Sequence, residues 1–159
     1  INIISNEKFI FAELGIRQPM LLKHFITQGV ESFGYDVVPV NVLIGQHLGY
    51  DTRQYDFSDC SKELDLRDAY IVVSYHMLEH TREPLTAIQK IYDSMEQGEY
   101  FHVEVPLEPT VPEVEHGHLF AFIKDDLRMM LHLAGFTILY TLFSESSSGR
   151  KIERYLAQK

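Results

Sequence analysis

Short apolar runs alternate with segments of helical period from one end of the chain to the other. Phe9-Ile10-Phe11-Ala12 is continuously apolar, as a parallel strand buried on both faces should be. Pro19 suits the first turn of a helix, on which Met20, Leu21, Phe25 and Ile26 fall at amphipathic spacing before Gly29 stops it. A strand over residues 32–35, a short helix over 42–48 closed by Gly49, and a brief strand over 52–55 follow. Ala69-Tyr70-Ile71-Val72-Val73 is the strongest strand pattern, and the helix from Pro84 through Met95 sets Leu85, Ile88, Ile91, Tyr92 and Met95 on one face. Gly98 leads into a strand over 100–105, after which Pro106, Pro109 and Pro112 mark a long loop that cannot join a central strand. Leu127, Met130, Leu131 and Ala134 build a last helix ended by Gly135. Two final strands, 137–143 and 152–157, are joined by the polar turn segment 144–150.

Strands alternating with helices predict an α/β fold, doubly wound, with a mostly parallel seven-stranded sheet and helices on both faces. The last two strands add a C-terminal antiparallel hairpin. No repeat, low-complexity segment or linker interrupts the pattern, so residues 1–159 are expected to form a single domain.

Composition narrows the class of partner. The formal charge of −9, without a lysine- or arginine-rich run, argues against nucleic acid and for a small or neutral acceptor. Cys60 is the only cysteine, which excludes an intrachain disulfide and a thiolate zinc cluster and leaves a small packed side chain as its expected role. No apolar run approaches the ~20 residues of a membrane span, and no signal peptide is recognisable. No membrane association and a cytoplasmic location are therefore expected. The chain opens on Ile1 rather than Met, which suggests that upstream residues, including an N-terminal cap over the acceptor pocket, are absent.

In open α/β sheets, ligands bind outside the carboxyl ends of the strands. Those ends carry Glu13-Leu14-Gly15, then Asp36, Asp56-Phe57, Ser74-Tyr75-His76 and Glu104-Val105-Pro106. Each has two uses. Asp36 is either a turn residue or an acceptor for both ribose hydroxyls of a nucleoside. Glu13 is a solvated loop charge or orients the loop and the cofactor's amino group. Asp56 and Phe57 together suit an adenine ring, whereas Phe57 alone suits the core.

These residues, in this order, resemble the class I S-adenosylmethionine-dependent methyltransferases. The segment from Lys8 to Gly15 resembles their first strand and acidic-x-Gly-x-Gly-x-Gly motif. Gly34-Tyr35-Asp36 resembles the second-strand ending, and Gly49-Tyr50-Asp51 through Asp56-Phe57 the third-strand region. Leu78-Glu79-His80 after the fourth strand, the stretch from Gly98 to Pro106, and Ala134-Gly135-Phe136 complete the match. The resemblance implies S-adenosylmethionine as cofactor and methyl transfer to a small-molecule or sugar-type acceptor. It assigns cofactor contacts to Glu13, Gly15 and Arg17, to Asp36 and Val37, to Asp56 and Phe57, and to Ser74 and Tyr75. A homodimer is compatible with it.

Arg17 and Pro19 stand where the family usually has glycine. Arg17 either swings outward or pairs its guanidinium with the methionine carboxylate. Two groups of histidines accompany the strand ends. His76 and His80 flank Glu79, but the order differs from the metalloprotease signature, so this segment is expected to order the turn and no metal ion is expected. His116 and His118 lie in the proline-rich loop, where some sugar C-methyltransferases carry a His that acts as base. If the acceptor loses a proton, His116 or His118 is the expected base and His76 the second choice. Two rivals stay open: a silent methyltransferase-like interaction domain, which Arg17 and Pro19 motivate, and a nicotinamide-dependent dehydrogenase. The dehydrogenase is disfavoured because no Gly-x-Gly-x-x-Gly follows the first strand.

Overall fold

The continuous apolar run at the start becomes β1 (Ile10–Leu14), every residue of which is buried, as its central place requires. It pairs in parallel with β2 (Glu31–Asp36) on one side and β4 (Ile71–Tyr75) on the other. Outside β2 lies β3 (Asp51–Gln54), and outside β4 lie β5 (Tyr100–Pro106), β7 (Lys151–Gln158) and the edge strand β6 (Thr137–Glu145). The seven-stranded order is β3-β2-β1-β4-β5-β7-β6, with only the pairings of β7 antiparallel. This is the doubly wound sheet with a C-terminal hairpin that the pattern predicts. A computed structural model describes residues 9–59, 61–66, 68–108, 112, 116–146 and 149–159. Cys60, Lys8, Pro109 and Glu115 lie outside the described residues.

Helices cover both faces. On one, Leu22 of α1 (Met20–Thr27) packs with Phe11, Ile16 and Val73, and Phe25 stacks on Phe11 with ring centroids 4.1 Å apart. Gly34 allows this approach, since a Cβ there would lie 2.5 Å from Ile16 and 3.0 Å from Leu22. The second helix, α2 (Pro39–His47), docks against β3, where the Thr52 hydroxyl donates to the Val42 carbonyl at 2.8 Å. On the opposite face, Ala87, Ile88 and Ile91 of α3 (Pro84–Ser94) and Leu127 and Leu131 of α4 (Asp126–Ala134) join Ala12, Val72, Phe101 and Val103 in the main core. Each such fully buried aliphatic side chain contributes roughly 1.5–3 kcal/mol of burial.

The boundaries differ from the sequence expectation where local chemistry overrides periodicity. Helix α2 starts at Pro39, earlier than its apolar pattern, because proline in the first turn forfeits no hydrogen bond. Strand β4 ends at Tyr75, which puts Ser74 and Tyr75 in the strand rather than after it. Pro106 closes β5 instead of opening a loop, paired with Ile152 of β7 beyond the last residue that pairs with β4. Glu104 and Val105 lie in β5, as the strand expected over 100–105 has them.

Candidate active site

The chain leaves β1 in one direction and β4 in the other, and the crevice this opens is a cavity of about 820 Å³ at the carboxyl ends of the strands. It is large enough for a nucleoside cofactor beside a small acceptor. Its walls come from the β1–α1 loop, the β2–α2 turn, the segment after β3, the end of β4 with the turn that follows it, His116, His118 and Arg150.

The loop after β1 keeps glycine-like backbone geometry in spite of its altered sequence. Gly15 has φ +79°, and a Cβ on it would lie 2.9 Å from Met77. Arg17 has φ +36°, a conformation few non-glycine residues adopt, and its side chain is exposed at the cavity wall. Two anchors hold this conformation. The N–H groups of Gly15 and Ile16 donate to the Tyr35 carbonyl at 2.8 and 3.3 Å. The Arg17 N–H donates to Asp36 Oδ2 at 2.8 Å.

Asp36 is buried, and its carboxylate organises this end of the cavity. Besides Arg17, it accepts from the Val38 N–H at 2.8 Å and the Asn41 side-chain amide at 3.1 Å. Three of the roughly four acceptor positions of a carboxylate are thus filled by the chain itself. Behind the loop, Glu13 accepts from the Leu22 N–H but leaves Oε2 without a partner among the described residues. Burial, reinforced by Asp36, pushes its carboxyl up to about 8.

Imidazoles and carboxylates build the other end. His76 has φ +52°, and both its ring nitrogens face carboxylates: Nε2 to Glu104 at 2.7 Å and Nδ1 to Glu79 at 3.2 Å. Hydrogen bonds from Glu104 and then Glu79 raise it to about 9, so the ring is an imidazolium at neutral pH and has no lone pair to act as base. Burial pushes the Glu104 carboxyl up, but hydrogen bonds from His76 and Arg154 outweigh it and hold Glu104 below the usual carboxylate range. Farther along, buried His118 pairs through Nδ1 with buried Glu108. The Nδ1 of His80 meets the Gly117 carbonyl at 3.0 Å. The Glu79 carbonyl accepts the N–H groups of Leu119 and Phe120 at 2.7 and 3.1 Å, clamping the His118 segment onto the 3-10 turn Leu78–His80.

Comparison with known proteins places this arrangement. A family model described as a methyltransferase domain matches residues 13–141. The chain belongs to that family. None of the curated proteins matches it. Among solved structures, the [4+2]-cyclase SpnF superposes with a TM-score of 0.77 at 15% identity, over 98% of this chain and 76% of that one. An S-adenosylmethionine-dependent methyltransferase from Archaeoglobus fulgidus gives a TM-score of 0.72 at 17% identity, over 95% and 86%. The 1,6-didemethyltoxoflavin-N1-methyltransferase of Burkholderia thailandensis, solved with S-adenosylhomocysteine, gives 0.72 at 17% identity, over 94% and 70%.

S-adenosylmethionine is the cofactor expected of this methyltransferase domain, and the residues present fit it. The cavity lies at the sheet's switch point, the buried Asp36 has one of its roughly four acceptor positions without a bond among the described residues, and Phe57 is both core and cavity wall. Seven of the residues that sequence reasoning assigned to the cofactor line the cavity: Gly15, Arg17, Asp36, Val37, Asp56, Phe57 and Tyr75. Glu13 and Ser74 do not. Both lie buried behind the wall, and the Ser74 hydroxyl has no partner among the described residues. His76, His116 and His118 all line it. Sequence reasoning missed Asn41, Met77, Thr81 and Arg150, which also line it, and the supporting carboxylate Glu108. Asn41 was findable as the polar residue one helical turn into α2. Glu108 carries no local signal.

Proposed function

We propose that the domain transfers a methyl group from S-adenosylmethionine to a small-molecule acceptor, a sugar-type one included, by direct displacement. The observation that supports this reading is that one cavity has a carboxylate held by neutral donors, Asp36, at one end and imidazole–carboxylate pairs around His118 at the other. When bound, S-adenosylmethionine supplies an electrophilic methyl on its sulfonium. The chain's task is to align that methyl with a nucleophile and to exclude water, which can account for much of the acceleration.

Asp36 binds the ribose through its remaining acceptor position, and a second hydroxyl bond requires Asn41 to let go. Phe57 offers an apolar wall to the adenine, and Asp56 accepts from its amino group. Arg17 pairs with the methionine carboxylate, because its exposed guanidinium stands at the cavity wall. At the acceptor end, a carboxylate and a carbonyl engage Nδ1 of His118 and His80, which leaves Nε2 of each ring for the acceptor's side of the chemistry. His116 is exposed at the same wall and is the remaining candidate to receive a proton.

The competing reading is a silent binding domain, and the altered glycine loop motivates it; fold alone does not assign a reaction. Thermal unfolding separates the two. S-adenosylhomocysteine at ten or more times Kd raises the melting temperature, because it binds only the native state. No shift up to millimolar ligand favours the silent domain. Stabilisation by NAD in its place overturns the cofactor assignment.

A further inference from the structure

We infer that Glu79, His80 and His118 form a binding site for a divalent transition-metal ion at the acceptor end of the cavity. One ligand atom from each lies within 4.8 Å of the other two, the span over which a single ion could bridge them. Three independent features point to a cation rather than to an ordinary polar cluster.

The first is tautomer. A carbonyl oxygen and a carboxylate can only accept, so the protons of His80 and His118 sit on Nδ1, toward Gly117 and Glu108 respectively. Each ring therefore has Nε2 left as the nitrogen that could ligate, and the carbonyl or carboxylate behind it fixes the ring's orientation. That is how metal-ligating imidazoles are generally supported. The second is an orphan. Glu79 is 1% exposed, its Oε1 is engaged by His76, and its Oε2 has no hydrogen-bond partner among the described residues. A carboxylate oxygen stripped of water and given no donor is costly, and a cation removes the cost. The third is preorganisation. The Glu79 carbonyl takes the Leu119 and Phe120 N–H groups, so backbone bonds join the two ligand-bearing segments whether or not an ion is present.

Two imidazoles and one carboxylate suit Zn²⁺, Fe²⁺, Co²⁺ or Mn²⁺ better than Mg²⁺ or Ca²⁺, and three protein ligands leave positions open to a substrate. Resting on the methyltransferase reading, this names the acceptor class: a molecule with a hydroxyl that can reach the ion. Bound there, the hydroxyl loses its proton to solvent near neutral pH. The oxygen then forms the new O–C bond to the methyl while the C–S bond breaks and sulfur keeps the electron pair. On this reading His118 is a ligand and not the base.

The test is a calorimetric titration of the full chain with Zn²⁺, paired with the visible absorption of Co²⁺, whose intensity distinguishes a low-coordinate protein site from scattered surface histidines. Wild type is expected to bind one ion with micromolar or tighter affinity. Glu79→Gln and His118→Ala should weaken it by about 100-fold or more, and Glu108→Gln by about 10- to 100-fold. Circular dichroism monitors folding. Because Glu79 and His118 are buried, the exposed His80→Ala variant serves as the test that leaves the core untouched, with an expected loss of at least about 10-fold. Wild type that binds Zn²⁺ no better than His80→Ala overturns the site, as does a Co²⁺ spectrum unchanged by His80→Ala. Separate titration of wild type with S-adenosylhomocysteine keeps the two readings apart: zinc binding without it fails the cofactor assignment alone, and the reverse fails the metal site alone.

Discussion

The two ends of the cavity use the same chemical groups in opposite ways. At the end proposed for the nucleoside, one carboxylate, Asp36, accepts from three neutral donors close to it in the fold: two backbone N–H groups and one amide. At the acceptor end, Glu79, Glu104 and Glu108 each face an imidazole. Backbone donors fix geometry and do not titrate, so the Asp36 end suits the uncharged ribose hydroxyls proposed above. Imidazole partners exchange protons and coordinate ions, so the His118 end is suited to chemistry. Binding and reaction are thus divided along one crevice.

The comparison breaks most visibly at Asp36. Asp36→Ala removes a bond to the ligand and releases the Arg17 and Val38 N–H groups, so affinity for S-adenosylhomocysteine falls by about 10- to 100-fold. His118→Ala, at the other end, changes that affinity by less than about threefold. Calorimetry on the two variants decides it: equal losses would mean that the ends are not separate. Arg17 gives the next largest effect. Arg17→Gly weakens S-adenosylhomocysteine by about tenfold through loss of a charge-assisted bond, yet leaves 5′-methylthioadenosine, which has no carboxylate, unaffected. Matching losses for both ligands place Arg17 in the loop's conformation rather than in carboxylate recognition. The same substitution relieves the φ of +36°, so stability should not fall.

The smallest effect is a pH slope from behind the nucleoside end. The Glu13 carboxyl is raised from its ordinary value of 4.5 to about 8 in the fold, so the native state holds its proton across that interval while the unfolded chain releases it. Its contribution to stability is full below about 4.5 and is lost as pH rises through about 8. Urea midpoints between pH 5 and pH 8.5 should therefore decline more steeply for wild type than for Glu13→Gln. Parallel pH profiles would show that Glu13 is ionised in the fold.

The sequence by itself determined the architecture and which strand-end residues line the cavity around Asp36, because both are written in local signals. Strand runs such as Ile10-Phe11-Ala12 and Val72-Val73 are buried on both faces of a parallel sheet, and burial demands continuous apolarity. Asp36 closes β2 and Asp56 and Phe57 follow β3, and the topology of such a sheet sends the carboxyl ends of its parallel strands to one edge. At Arg17 the loop takes a left-handed backbone without glycine, held by bonds to Tyr35 and Asp36. Only the tertiary structure decided the acceptor end. In sequence, His76 and His80 flank Glu79 as if to share a ligand. In the fold, the φ of +52° at His76 accompanies a ring turned to Glu104 as well as Glu79, and His118 arrives beside His80 from a segment clamped by the Glu79 carbonyl. Spacing along a chain predicts neighbours only where the backbone is regular. A strained turn and a long loop erase that relation, and hydrogen bonds between residues nearly forty positions apart establish a new one.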